Sequence, residues 1–120
     1  MSELLVLLFV YSFVTETENK LVGFIAAIGS KLKRNQHAVY LVLGVSEDYR
    51  GQGIATKLFN KLFVWAKDVG ISRLGLMVIK GNTKAFNLYK KMGFVLKGEK
   101  IHSLKINEKF ANEYYLYKLL

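Results

Sequence analysis

The run Ser46–Phe59, SEDYRGQGIATKLF, gathers a cation, two glycines and the start of an amphipathic stretch. A strand that ends in a Gly-rich bend and passes at once into a helix brings free N–H groups to one point. The first four N–H groups of a helix have no acceptor within it, and the helix dipole adds partial positive charge there. Gly51 and Gly53 permit backbone angles and a close approach that a side chain blocks. Arg50 adds a full charge. Such an assembly suits a phosphate. Arg50, Gly51, Gln52, Gly53, Ile54, Ala55 and Thr56 are therefore the candidate anion-binding residues. The spacing excludes two common phosphate motifs. A P-loop needs four residues between its glycines and then Lys with Ser or Thr, and a dinucleotide fingerprint needs Gly where Thr56 stands. Taken alone, the stretch fits a plain flexible turn into a helix equally well.

Those groups need elements to position them, and composition bounds the choice. The chain has 120 residues, 52% of them hydrophobic. One domain, 1–120, with an unaided apolar core is expected. Cys is absent, which removes disulfides, thiolate metal sites and a cysteine nucleophile and fits a reducing, cytoplasmic setting. With Pro absent too, turns fall to Gly, Asn, Asp and Ser. The net charge of +9 favours an anionic partner such as a phosphorylated cosubstrate. The apolar N-terminus has no preceding basic residue, no small-residue cleavage site and too little length for a membrane span. It reads as a buried strand.

Along the chain, Leu4–Val14 and Leu21–Ile28 read as a strand hairpin around the polar turn Thr15–Lys20. Ala38–Val45 is apolar on both faces, as in a central strand, with Gly44 marking a bulge or a close backbone approach. Ile54, Leu58, Leu62, Trp65 and Val69 make one helical stripe over 53–69, which Gly70 ends. Arg73–Ile79 is a short strand. Thr83–Met92 is a second helix, capped by Asn82 and terminated by Gly93. Phe94–Ile106 and Glu113–Leu119 close the chain as a hairpin around 107–112. The strand–helix–strand unit 38–79 needs a crossover, so its strands are expected to be parallel neighbours. The fold class is α/β (α+β): a mixed, mostly antiparallel sheet with helices on its faces, in the order βββαβαββ.

Here the sequence resembles the GCN5-related N-acetyltransferase (GNAT) family. The family's pyrophosphate loop, Q/R-x-x-G-x-G/A, is matched by Arg50 to Ala55. The approach V-x-x-x-Y-R-G is matched by Val45, Tyr49, Arg50 and Gly51. The later segment N-x-x-A-x-x-L-Y-x-x-x-G-F is matched at every fixed position of Asn82–Phe94, about thirty residues after the first motif. The resemblance implies acyl transfer from acetyl-CoA to an amine, without a metal. It implies that the backbone of 50–56 holds the CoA pyrophosphate and that a bulged strand ending Leu43-Gly44-Val45 pairs with the pantetheine arm. It also implies that Asn82 touches that arm and that Tyr89 protonates the departing thiolate. A strand N–H near Val45 would steady the oxyanion formed by amine attack. Without the resemblance, Tyr89 reads as an aromatic packed on the sheet.

The chain departs from the family pattern in two places. It begins at the hairpin strands, as though without the usual first strand–helix–helix segment, which leaves an exposed edge and sheet surface that favour a homodimer. The position of the family's catalytic Glu falls on Met77, which takes no proton. Glu47, His37, Tyr40 and His102 are substitute bases, but each fits an ordinary surface or strand position as well. Glu16, Glu18 and Glu113 would attract a cationic acceptor or be plain surface charges. Lys31, Lys33 and Arg34 would meet a CoA phosphate, a nucleic acid or nothing. Two other functions compete: a non-catalytic CoA-binding module, and a nucleic-acid binder, which lacks an aromatic-and-basic strand signature.

Overall fold

The computed structural model describes residues 8–30 and 33–120. Six strands and two main helices follow in chain order: β1 (Leu8–Thr17), β2 (Lys20–Ser30), β3 (Ala38–Val45), α1 (Ile54–Asp68), β4 (Arg73–Ile79), α2 (Thr83–Lys91), β5 (Val95–Ile106) and β6 (Lys109–Leu119). A 3-10 turn, Glu47–Tyr49, precedes α1. The sheet is mixed and mostly antiparallel, with strand order β1-β2-β3-β4-β6-β5. The chain divides into two compact units within β4: Met1–Leu74 with Leu120, and Gly75–Leu119.

In the first unit, β1 and β2 pair antiparallel from Leu8↔Ser30 to Thr17↔Lys20. The turn is only Glu18–Asn19, both at positive φ (54° and 64°), rather than the six-residue turn expected from composition. Two central residues at positive φ give a connection whose twist matches that of the strands, so pairing runs to the turn. Residues 4–7 of the expected first strand lie outside the described residues. One register shift, between Thr15 and Glu16, leaves Val22 as the extra residue on β2.

The β2–β3 ladder runs from Gly23↔Val45 to Gly29↔Val39 without a register shift. The bulge expected at Gly44 is absent from this ladder. The close neighbour of Gly44 is a side chain rather than the backbone expected: a Cβ there would lie 2.5 Å from Phe24 Cε1, on the paired residue. The aromatic ring occupies the space that the missing side chain leaves.

Helix α1 covers one face of β1–β3. Gly23 sits against Ile54 and Leu58, and Tyr11 stacks on Trp65 with centroids 4.4 Å apart. Ile25, Ala27, Val39, Leu41, Leu58, Phe59, Leu62 and Ala66 are buried. The buried stripe of α1 is thus turned from the expected one. Phe59 and Ala66 join it, while Val69 is 55% exposed. The opposite face carries Val10, Ser12, Val14, Ala26, Tyr40 and Val42. Val10 is 66% exposed there, and Tyr40 and Val42 are exposed too. Strand β3 is apolar on both faces but buried on only one.

In the second unit, β5 and β6 pair antiparallel from Val95↔Tyr117 to Ile106↔Lys109. The turn is Asn107–Glu108, again two residues at positive φ, so β6 begins four residues before the expected Glu113. Register shifts fall between Leu96 and Gly98 and between Lys100 and Leu104. Helix α2 is capped by Asn82, whose side chain accepts from the Ala85 N–H, and ends with Lys90 and Lys91. Cations there complement the helix dipole.

Candidate active site

The phosphate-binding stretch is built by a chain of backbone bonds. Strand β3 is extended by the Ser46 N–H, which donates to the Val22 carbonyl at 2.7 Å. The 3-10 turn follows, with Tyr49 N–H donating to Ser46 O and Arg50 N–H to Glu47 O. Arg50 returns to extended backbone (φ −69°, ψ 152°), and its Nε donates to the Val45 carbonyl at 3.3 Å. The chain then passes through Gly51 and Gly53, at φ +79° and +78°. No atom lies within 4 Å of a Cβ built at either glycine. Backbone angle, not crowding, reserves both positions for glycine.

Gly53 is the N-cap of α1 and supplies no capping side chain; the helix has no acidic residue in its first turn. The first intrahelical bond runs from Lys57 N–H to Gly53 O, 3.1 Å. The N–H groups of Ile54, Ala55 and Thr56 come before it and have no helical acceptor. Gly51, Gln52 and Gly53 are exposed, and Ile54, Ala55 and Thr56 are half-buried. Leu43 and Val45, half-buried at the end of β3, lead into this turn. The first unit places the sequence-predicted residues Arg50 to Thr56 in the turn and first residues of α1, with Leu43 and Val45 on the strand that precedes it.

Asn82 and Tyr89 belong to the second unit. Asn82 is exposed and uses its carboxamide oxygen to cap α2, 3.3 Å from the Ala85 nitrogen. Tyr89 is buried, edge-on to Phe94 with centroids 6.3 Å apart. Met77 is half-buried on β4.

The substitute proton acceptors scatter. His37 and Tyr40 are exposed at the start of β3 and Glu47 on the 3-10 turn. The His37 carbonyl accepts from Ser72 N–H and Arg73 N–H. His37 also lines a pocket of about 490 Å³ with Ser30, Gln36, Trp65, Val69, Gly70 and Ile71, at the other end of α1 from Gly53. His102 is exposed on β5 at φ +51°, its ring stacked on Phe110. Glu16, Glu18, Lys33 and Arg34 are exposed and Glu113 is half-buried. Lys31 lies outside the described residues.

A polar network in the second unit has no counterpart in any sequence motif. Asn112 donates from Nδ2 to Glu99 Oε2 at 2.7 Å and accepts the His102 N–H at 2.8 Å. Lys80 Nζ reaches the same Glu99 oxygen at 3.2 Å. The Asn112 amide, and then the Lys80 ammonium, hold the Glu99 carboxyl below the usual carboxylate range. Glu99 in turn holds Lys80 above its ordinary value. The contacts join residues 19 and 13 apart in sequence, and no local pattern signals such pairs.

Among the described residues, no group of three or more His, Asp or Glu side chains is placed to hold a metal. None of their helices is long and apolar enough to cross a membrane. A mixed sheet in this strand order, with two helices, defines an acyl-CoA N-acyltransferase fold. Residues 6–94 match the Acetyltransferase (GNAT) family, and the chain belongs to that family. It is similar to Spermidine N(1)-acetyltransferase of Escherichia coli strain K12, 28% identical over 101 residues, 83% of this chain and 53% of that protein. It is also similar to Thialysine N-epsilon-acetyltransferase of Bos taurus, 45% identical over 49 residues, 41% of this chain and 29% of that protein. The match thus spans about half the length of the first of these relatives and less than a third of the second. Among solved structures, a GNAT-family acetyltransferase from Streptococcus pneumoniae superposes with a TM-score of 0.87 at 30% identity, over 91% of this chain and 66% of that one. A ribosomal-protein-alanine N-acetyltransferase from Brucella melitensis has the same fold, with a TM-score of 0.83 at 22% identity, over 91% and 68%.

Proposed function

We propose that residues 1–120 act as one N-acetyltransferase domain, moving an acetyl group from acetyl-CoA to a primary amine by direct attack in a ternary complex. The observation that carries this is the start of α1. Three N–H groups without helical acceptors stand there beside an arginine, and no carboxylate lies in the first turn to neutralise them. Arg50, Gly51, Gln52, Gly53, Ile54, Ala55 and Thr56 hold the pyrophosphate of acetyl-CoA. Leu43 and Val45 offer backbone groups to its pantetheine arm, and Asn82 touches the same arm.

In the reaction, the amine nitrogen attacks the thioester carbonyl carbon and the carbonyl electrons move to oxygen. A strand N–H near Val45 steadies that charge. As the oxyanion collapses the C–S bond breaks, its electron pair stays on sulfur, and Tyr89 donates the proton that the thiolate takes. The proton lost by nitrogen passes to water, since Met77 cannot accept it, and water returns a proton to the Tyr89 phenolate. No covalent enzyme intermediate is required, so a chain without cysteine can perform the reaction. The acceptor is an amine that arrives neutral, and the enzyme works in the cytoplasm as a homodimer.

Titration calorimetry with acetyl-CoA, followed by thiol release across an amine panel, tests this reading. Heat of binding and turnover with at least one amine are expected; absence of binding by folded protein overturns it. A second reading, a CoA-binding module without catalysis, is favoured by Met77 at the usual base position. Replacing Tyr89 with Phe separates the two, because only an enzyme loses rate while keeping its affinity for acetyl-CoA.

A further inference from the structure

Asn112 on β6 has its carbonyl and both ends of its side-chain amide engaged at once. The carbonyl accepts the Lys80 N–H at 2.9 Å. Oδ1 accepts the His102 N–H at 2.8 Å, and Nδ2 donates to Glu99 Oε2 at 2.7 Å. The ladder explains why an asparagine stands there. Lys100 pairs with Glu113 and Leu104 with Ala111, so Ile101, His102 and Ser103 face Asn112 across a bulge, three residues against one. His102 takes φ +51° in that bulge. A bulge leaves main-chain groups without their ladder partners, and the Asn112 oxygen takes the His102 N–H in place of one. The amide nitrogen then faces the Glu99 carboxylate, which holds the amide in one orientation.

The same residue governs the approach to α2. Lys80 follows β4 and stands two residues before the N-cap Asn82. Its N–H is held by Asn112, and its ammonium by Glu99 Oε2 at 3.2 Å. That ammonium also lies 5.8 Å from the ring centroid of Tyr114, the ladder partner of Glu99. Tyr114 in turn packs on Phe86 of α2, with centroids 5.4 Å apart. The segment Lys80–Phe86 is therefore gripped at both ends by β6. Between the grips lie Gly81, at φ +106°, and Asn82, whose side chain caps the Ala85 N–H. Tyr89 follows Phe86 by three residues, on the next turn of the helix. We propose that Asn112 is a positioning residue for acyl transfer: together with Glu99 it fixes the Lys80–Phe86 segment, and through it the Asn82 carboxamide and the Tyr89 hydroxyl. This role rests on the acetyltransferase reading given above. The Lys80–Glu99 pair is exposed, and such pairs add little to stability. Its effect falls on geometry instead, where a small misplacement of reacting groups is costly in rate.

The variant Asn112→Asp tests the role. It keeps the size of the side chain and the acceptor for His102 but turns an oxygen on Glu99. Calorimetry with acetyl-CoA and with ADP, which carries a pyrophosphate and no pantetheine arm, is set beside steady-state kinetics. Affinity for acetyl-CoA should fall ~5-fold and kcat ~10-fold, while affinity for ADP stays as in wild type. Glu99→Gln alone should lose ~2-fold in kcat. Added to Asn112→Asp, it supplies the missing donor from the other side, and the double variant should recover to the level of Glu99→Gln. Glu108→Gln breaks the Lys105–Glu108 pair of the same unit and should change none of these quantities. Hydrogen exchange gives a readout without turnover: the Ala85 amide should exchange faster in Asn112→Asp, and the Leu62 amide of α1 at its wild-type rate. ADP affinity that falls in step with that for acetyl-CoA overturns the role, as does a double variant no better than Asn112→Asp. Unchanged kcat with unchanged Ala85 exchange overturns it too. A wild-type chain that binds neither nucleotide overturns the acetyltransferase reading instead, and Ala85 exchange then still decides whether Asn112 positions α2.

Discussion

The Nε of Arg50 donates to the carbonyl of Val45, 3.3 Å away, and so ties the end of β3 to the turn that starts α1. This bond turns the guanidinium back toward the end of β3. Replacing Arg50 with Met is expected to weaken CoA binding about tenfold and to flatten its salt dependence. The side chain is exposed, so the melting temperature should barely move. Calorimetry at two salt concentrations checks both effects.

Gly53 sits at φ +78° with open space around it. Ala in its place meets no neighbour but is forced into the left-handed region, at about 1–2 kcal/mol. Relaxation of that strain re-aims the N–H groups of Ile54 and Ala55. Gly53→Ala is expected to lower stability by that amount in urea unfolding and to reduce CoA affinity more than tenfold. Gly98, with nothing within 4 Å and an ordinary φ, is the control: Gly98→Ala should leave affinity unchanged.

Tyr89→Phe removes one hydroxyl from a buried ring packed against Phe94. As the proton donor to the leaving thiolate, its loss should cut kcat by roughly 10²-fold and leave the affinity for acetyl-CoA unaltered. Steady-state kinetics beside calorimetry separates these quantities. Unchanged kcat removes Tyr89 from the chemistry.

Gly44 and Phe24 form a matched pair across the β2–β3 ladder. Gly44→Ala drives a methyl group into the ring at 2.5 Å and should cost about 1–3 kcal/mol. Combining it with Phe24→Leu should recover part of the loss. A double-mutant cycle by chemical unfolding reads the coupling, and strict additivity would contradict the contact.

Glu99 titrates below the ordinary carboxylate value of about 4.3 because Asn112 and Lys80 favour its charged form. Its folded value lies under its unfolded one, so its contribution is present above the unfolded value and disappears as pH falls through the folded value. Lys80 has the opposite sign, and its contribution fades as pH rises through its raised value. Wild type should exceed Glu99→Gln in stability near neutrality by a small, salt-sensitive margin. The two should converge in acid. Thermal melts across the acid range check the sign.

Strong local signals made much of this legible in the sequence. Strands β3 and β4 run as the apolar stretches suggest, and both helices start and stop within a residue of the bounds expected for them. The pyrophosphate motif lies at a helix start because glycine angles and a missing cap are local properties of the chain. Both hairpin turns are shorter than composition suggests. Glu and Asn in Glu18–Asn19 and Asn107–Glu108 gave no glycine signal, although both residues of each pair take positive φ. The buried face of α1 keeps Leu58 and Leu62 of the expected stripe but adds Phe59 and Ala66 and loses Val69, because apolar residues lie on several of its sides and only packing against β1–β3 chooses among them. The Asn112 network was invisible because its contacts are non-local.

Both hairpins close through two residues, so the faces along β1, β2, β5 and β6 are set by the turns together with the register shifts that follow them. Losing one residue from either turn would exchange inward and outward side chains along an entire strand. For the first hairpin, that would aim Tyr11 away from Trp65 and offer Val10 to the helix instead. The length of a two-residue connection, more than the identity of any single apolar side chain, decides which side of the strand becomes interior.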